Sequence, residues 1–211
     1  MNITILGAGN MGSAFAKQLS RAGHRVRVTS RNPEKARAAA ANNPGAIASP
    51  PESALGDSSV VIVATAFADA VPALKSLGSL DGKVIIDITN PLSADFMSLT
   101  IGHDTSAAEE IAKAMPGAHV VKAFNTVFAQ VLAEGPTFPN GQIVPVFVAG
   151  DSERAKEVVQ QIVQSLGFRS VDAGPLKNAR YLEPVAGLNI YLGYGAGHGT
   201  AIAPAWIKKA A

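Results

Sequence analysis

Apolar positions along this chain follow two alternating rhythms. Residues 60–64 are uniformly apolar and read as a strand covered on both faces, and the runs at 2–6, 119–124 and 145–149 read as further strands. Between such runs, apolar residues recur three and four apart. Met11, Phe15, Leu19 and Ala22 mark a helix over 10–22, and Ala155, Val158, Val159, Ile162 and Leu166 mark another over 152–166. Residues 25–29 alternate as a second strand, 46–48 form a minor third, and 83–87 and 168–172 add two more. Gly23 stands where a helix ends, Pro33 where a first helical turn accepts it, and Ser106 with Glu109 reads as a capping box. A helix over 68–77, a loop over 89–104 and a Gly-Pro-rich loop over 135–141 follow the same logic. A long apolar helix is expected from about Leu176 onward.

Strands and helices in alternation predict an α/β fold of Rossmann type, a doubly wound and mainly parallel sheet with a small C-terminal extension. The division expected is a nucleotide-binding core over 1–126 and an α/β extension over 127–211, packed together as one compact unit. Composition agrees with one sizeable core: of 211 residues, 47% are hydrophobic and 16% charged. A net charge of +2, with Lys208-Lys209 as the only basic run, gives no footprint for nucleic acid. The lack of cysteine excludes disulfides and thiolate metal sites and suits a cytoplasmic protein. The first apolar run has no basic leader and reads as a strand, not a signal peptide. Residues 185–207 carry no charge and are long enough to span a bilayer, but Asn189, His198, Pro204 and repeated glycines argue against it. Burial of this segment in the core or in a subunit interface is expected instead.

The candidate chemistry begins at Gly7-Ala8-Gly9-Asn10-Met11-Gly12, where a strand enters Gly-x-Gly-x-x-Gly and a helix follows. Gly7 permits the tight turn, Gly9 lets the backbone approach a pyrophosphate, and Gly12 lets the helix pack closely on the sheet. The helix N-terminus offers free N–H groups and a partial positive charge to phosphates. A glycine-rich structural turn is the bland alternative. An acid that binds the adenosine ribose of NAD belongs about 20 residues past these glycines. Thr29-Ser30-Arg31-Asn32-Pro33-Glu34-Lys35 stands there, with no acid at the strand tip. Ser30, Arg31 and Lys35 could receive a 2′-phosphate by charge-assisted hydrogen bonds, which favours NADP(H) over NAD. Glu34 should point away, and a solvated basic turn is the alternative.

Ligands in such sheets lie beyond the C-terminal ends of the strands. That edge receives Ala64-Thr65-Ala66-Phe67, Thr89-Asn90-Pro91 and Ala123-Phe124-Asn125-Thr126. Small Ala64 and Ala66 leave room for a cofactor, and Phe67 either walls a ring or belongs to the core. Asn90 and Asn125 either bond a carboxamide or substrate carbonyl, or serve turn chemistry. No histidine falls at a strand tip, no catalytic acid or base stands out, and no metal-ligand spacing is present. Asp172 and Glu183 read as isolated structural carboxylates. Such a site favours direct hydride passage between two rings held face to face.

Four segments recur in one order: the glycine turn, Ser30–Lys35, Val121-Lys122-Ala123-Phe124-Asn125-Thr126, and Asp172-Ala173-Gly174-Pro175-Leu176 with Ala179-Arg180. With them the whole chain resembles the coenzyme F420-dependent NADP oxidoreductase family, and it is similar to the cytosolic NADPH domain of the STEAP metalloreductases. Asn125 brings it closer to the bacterial dinucleotide-binding members and the STEAP domain. The resemblance implies a homodimer in which NADPH gives hydride to a small-molecule acceptor such as F420, FMN or FAD. It assigns the pyrophosphate to Ala8–Met11, the 2′-phosphate to Ser30, Arg31 and Lys35, and the nicotinamide to Ala123 and Asn125. Thr65, Ala66 and Asn90 complete the expected cofactor set. Two alternatives stand beside it: an imine or pyrroline-carboxylate reductase, whose helical substrate domain is usually longer, and an NADPH-binding sensor without turnover.

Overall fold

The computed structural model describes residues 1–41, 43–207 and 209. Six strands run parallel: β1 (Asn2–Leu6), β2 (Arg25–Thr29), β3 (Ala46–Ala48), β4 (Val60–Val63), β5 (Val84–Asp87) and β6 (His119–Lys122). β7 (Pro145–Gly150) is antiparallel to β6, and β8 (Arg169–Asp172) is parallel to β7. They form one sheet in the order β3-β2-β1-β4-β5-β6-β7-β8. The order reverses between β1 and β4, which opens a crevice above the strand ends at that point. The result is a Rossmann-like α/β fold.

Every residue of β4 and β5 is buried, because helices cover both faces of a parallel sheet. One apolar layer joins Ile3 and Val26 of the first half to Val146, Val159 and Ile162 of the second, so sheet and core run past residue 126 without a break. The opposite layer gathers Val61, Leu74, Ile85 and Ile111. α1 (Asn10–Arg21) buries Phe15 and Leu19 completely and ends where Gly23, at φ 82°, donates its N–H to the Ser20 carbonyl at 3.0 Å. α7 (Glu153–Ser165) starts where the Ser152 hydroxyl accepts from the Ala155 N–H at 3.3 Å.

Two expectations need correction. β6 stops at Lys122 and does not continue to 124, because Phe124 takes φ 60° and turns its ring into the core. There it meets Phe15 and Phe168 edge-on, at centroid distances of 5.1 and 5.9 Å. The expected long C-terminal helix is three short pieces: a 3₁₀ turn at Leu176–Asn178, α8 (Ala179–Ile190) and a π turn at Tyr191–Gly195. Pro184 lies inside α8 and supplies no N–H, and a run of glycines from Gly193 onward does not hold a helix. α8 buries Leu182, Glu183, Ala186 and Asn189, but Tyr181, Leu188, Tyr191 and Tyr194 stay exposed. Only part of segment 185–207 is therefore buried in the core. Among the described residues, no helix is long and apolar enough to cross a membrane.

Candidate functional site

The glycine turn has the mechanics its spacing predicts. Gly7 has φ 117°, and a Cβ there would lie 2.3 Å from the Ala64 carbonyl oxygen. A Cβ on Gly12 would lie 2.0 Å from the Gly7 carbonyl oxygen. At Gly9 a Cβ would meet nothing within 4 Å. Gly7 and Gly12 thus fix the turn against β4 and α1, while Gly9 faces open space. No side chain caps the start of α1, so its first N–H groups remain available to an anion.

A cavity of about 430 Å³ opens beside this turn, lined by Gly7, Ala8, Gly9, Ser30, Arg31 and Lys35 on one side. Thr65, Ala66, Asp69, Pro72 and Ala73 line the other. The structure therefore brings Ser30, Arg31 and Lys35 together at one end of a cleft whose far wall mixes apolar Ala66, Pro72 and Ala73 with Thr65 and the carboxylate of Asp69. Glu34 pairs with Arg37 on the same helix, α2 (Pro33–Ala41). Arg31 crosses the cleft to Asp69 in the first turn of α4 (Phe67–Lys75), with contacts of 2.8 and 3.3 Å. Sequence reading passed over Asp69, since nothing local marks a contact that spans 38 residues.

A second cavity, of about 600 Å³, lies on the other side of the start of α1 and is lined by Asn10 and Met11. Ile88 and Asn90 after β5, Asn125–Phe128 after β6, and Asn189 and Tyr194 form its walls, with Phe96 and Met97 on a neighbouring loop. Asn90 and Asn125 hold each other: the Asn90 amide donates to the Asn125 carbonyl at 2.9 Å, and the Asn125 amide donates to Asn90 Oδ1 at 3.0 Å. Asn125 Nδ2 also donates to the Leu182 carbonyl of α8 at 2.9 Å. Two acceptors around Nδ2 fix the orientation of that amide. Asn125 Oδ1 is then buried without a partner, an arrangement that costs about 1–3 kcal/mol in the absence of a donor. Ala123, Gly12 and Phe67 line neither cavity, and Ala123 is fully buried in the core. None of the four histidines lines either cavity.

Beneath the two asparagines lies a charged cluster that sequence reading missed. Lys122, wholly buried, donates to Asp87 at 2.7 Å, to the Thr89 carbonyl at 2.7 Å and to Glu183 at 2.8 Å. Glu183 also accepts from the Ala107 and Ala108 N–H groups at 3.0 and 3.3 Å, capping α5 (Ala107–Ala114) from a distance in sequence. Burial pushes the Glu183 carboxyl above the usual range, against the pull of Lys122. The two carboxylates expected to be isolated are both paired, Glu183 here and Asp172 with Lys156 at 2.9 Å. The available signal was register: Asp87 and Lys122 are direct neighbours across β5 and β6.

Residues 2–91 match the family described as NADP oxidoreductase, coenzyme F420-dependent. The F420-dependent NADP reductase of Methanothermobacter marburgensis is 29% identical over 212 residues, covering 91% of this chain and 92% of that protein. By sequence and by fold, this chain is similar to the F420-dependent NADP reductases. The crystal structure of a putative F420-dependent NADP reductase from Arthrobacter sp. FB24 superposes with a TM-score of 0.83 at 28% identity, over 94% of this chain and 95% of that one. The rat metalloreductase STEAP3 is 34% identical over 184 residues, covering 87% of this chain and 36% of its own length. The chain thus spans about a third of the metalloreductases it matches. An imine reductase from Pseudomonas sp. shares the fold, with a TM-score of 0.67 at 22% identity, and shows no more than that.

Proposed function

We propose that this chain is an NADP-dependent oxidoreductase that passes hydride between NADP(H) and a small planar-ring acceptor. The observation that carries the reading is the pair of cavities meeting at the start of α1, one with Ser30, Arg31 and Lys35 and one with an unpartnered Asn125 Oδ1. The residues fit the nucleotide part by part. Gly9 leaves room for a diphosphate against the uncapped N–H groups of α1. Pro72 and Ala73 offer an apolar wall for adenine. Ser30, Arg31 and Lys35 receive the 2′-phosphate, whose charge Arg31 meets with the donors it does not spend on Asp69. Thr65 and Ala66 lie along the same cleft.

Asn125 lines the second cavity, and its unpartnered Oδ1 would be the acceptor for the carboxamide N–H₂, with the Asn90–Asn125 pair holding the amide. NADPH held there would supply a hydride, two electrons and a hydrogen passing to the acceptor with a proton drawn from water, and NADP⁺ would remain. The protein's part is positioning and exclusion of water. Met11, Phe128 and Tyr194 supply apolar walls against which two stacked rings lie dry. F420 is the acceptor named for the archaeal and bacterial relatives.

Transfer of deuterium from stereospecifically 4-labelled NADPH to F420, FMN, FAD or a quinone tests the proposal. Loss of label from one face of the nicotinamide is expected, with deuterium kept in the acceptor only for F420, because the N–H and O–H groups of reduced flavins and quinones exchange with water. Tight NADPH binding with no transfer to any ring would refute turnover and leave a sensor.

A further inference from the structure

The second cavity has a charge character that narrows the acceptor. Among the described residues lining it, none is Lys or Arg, and Asp95 is the only carboxylate. The nearest basic side chain along the chain, Lys122, is consumed below the floor by Asp87 and Glu183. Asp95 is exposed and stands at the mouth, beside Phe96 and Met97, which are 60% and 43% exposed. Its position is built. Asp95 Oδ1 accepts from the Ser93 hydroxyl at 2.5 Å and from the Met97 N–H at 3.0 Å. These bonds hold the carboxyl below its ordinary range, so it is ionised at neutral pH.

The contrast with the first cavity is direct. There, Arg31 and Lys35 stand where a phosphate is to be bound. Here polar neutral groups, Asn90, Asn125 and Asn189, face apolar ones, and the one fixed charge at the opening is negative. A ring that carries a phosphate or carboxylate tail out through this mouth would bring like charges together with no cation to offset them.

We propose that the acceptor cavity takes an uncharged planar ring, a riboflavin-type or quinonoid compound without an anionic tail, and that Asp95 disfavours phosphorylated rings. This inference rests on the hydride-transfer reading above. It differs from that reading in naming the charge class, which the F420 of the relatives does not share.

The test compares riboflavin with FMN, two flavins that differ by a phosphate, and adds F420 and the neutral quinone menadione. Binding is read by quenching of flavin fluorescence on the chain saturated with NADP⁺, and turnover by NADPH oxidation. Riboflavin is expected to bind about two- to threefold more tightly than FMN at low ionic strength, and kcat/KM to follow the same order. Asp95→Asn keeps the acceptor atom that orders the loop and removes the charge, so the riboflavin-to-FMN ratio should fall toward one. Menadione turnover without riboflavin binding would assign the quinonoid source, and riboflavin binding would assign the flavin source. FMN or F420 bound as tightly as riboflavin, or a ratio unmoved by Asp95→Asn, would overturn the inference and leave hydride transfer standing. Oxidation of NADPH by none of the four would overturn both.

Discussion

At the scale of single residues, the two asparagines at the ends of β5 and β6 carry more than turn chemistry. Asn125 spends both amide hydrogens on protein and keeps its oxygen for something else. Replacing it with Ala strips donors from Asn90 Oδ1 and the Leu182 carbonyl as well as the free acceptor. We expect a loss of about 1–3 kcal/mol in stability and weaker NADPH binding, read by thermal unfolding and by titration of NADPH fluorescence. Unchanged affinity for NADPH would detach Asn125 from the nicotinamide. The close packing of Gly12 was legible from spacing, because its neighbour Gly7 is near in sequence, whereas the approach of Gly7 to the Ala64 carbonyl was not. Gly12→Ala should cost about 1–3 kcal/mol by driving a methyl group into the Gly7 carbonyl. Asp69 was not legible, since its meeting with Arg31 depends on how β2 and β4 align across the sheet.

At the scale of elements, the strands and amphipathic helices could be read from period, as each buries a face that the period writes into the sequence. α8 could not. Its residues are apolar nearly all round, so hydrophobicity alone does not say which face is covered. The answer came from Glu183, which reaches inward to Lys122 and to the start of α5. That ion cluster connects β5, β6, α5 and α8 under the Asn90–Asn125 pair. Lys122→Met would leave Asp87 and Glu183 buried without their cation and should destabilise by about 3–5 kcal/mol in urea unfolding. The triple replacement Lys122→Met, Asp87→Asn and Glu183→Gln should recover much of that loss. If Lys122→Met alone unfolds at the wild-type midpoint, the cluster holds nothing together.

At the scale of the whole molecule, α8 and the π turn after it expose large apolar side chains on the surface. Tyr181, Leu188, Tyr191 and Tyr194 are each more than half exposed. We expect two copies to pair through this face, with sedimentation at micromolar concentration giving twice the chain mass; a monomer would count against it. A second global property is acid sensitivity at the sheet's far end. Burial, with help from the N-terminal ammonium, holds the His24 ring below its ordinary pKa of 6.5. The ring bonds Ser165 at 2.9 Å and the Met1 ammonium at 3.1 Å. The unfolded chain therefore takes up this proton first. Its contribution is complete above pH 6.5 and is lost as pH falls through the lower folded value. The melting temperature should drop across that window, and His24→Gln should flatten the slope there.

The central claim is that one groove binds NADP(H), with the 2′-phosphate held by Ser30, Arg31 and Lys35. Dissociation constants for NADPH and NADH, measured on the wild-type chain and on Arg31→Ala, test it most directly. NADPH should bind at least about tenfold more tightly than NADH, and Arg31→Ala should close most of that gap by weakening NADPH alone, as loss of a charge-assisted phosphate contact requires. Equal affinities in the wild type, or a preference for NADPH that survives the loss of Arg31, would contradict it.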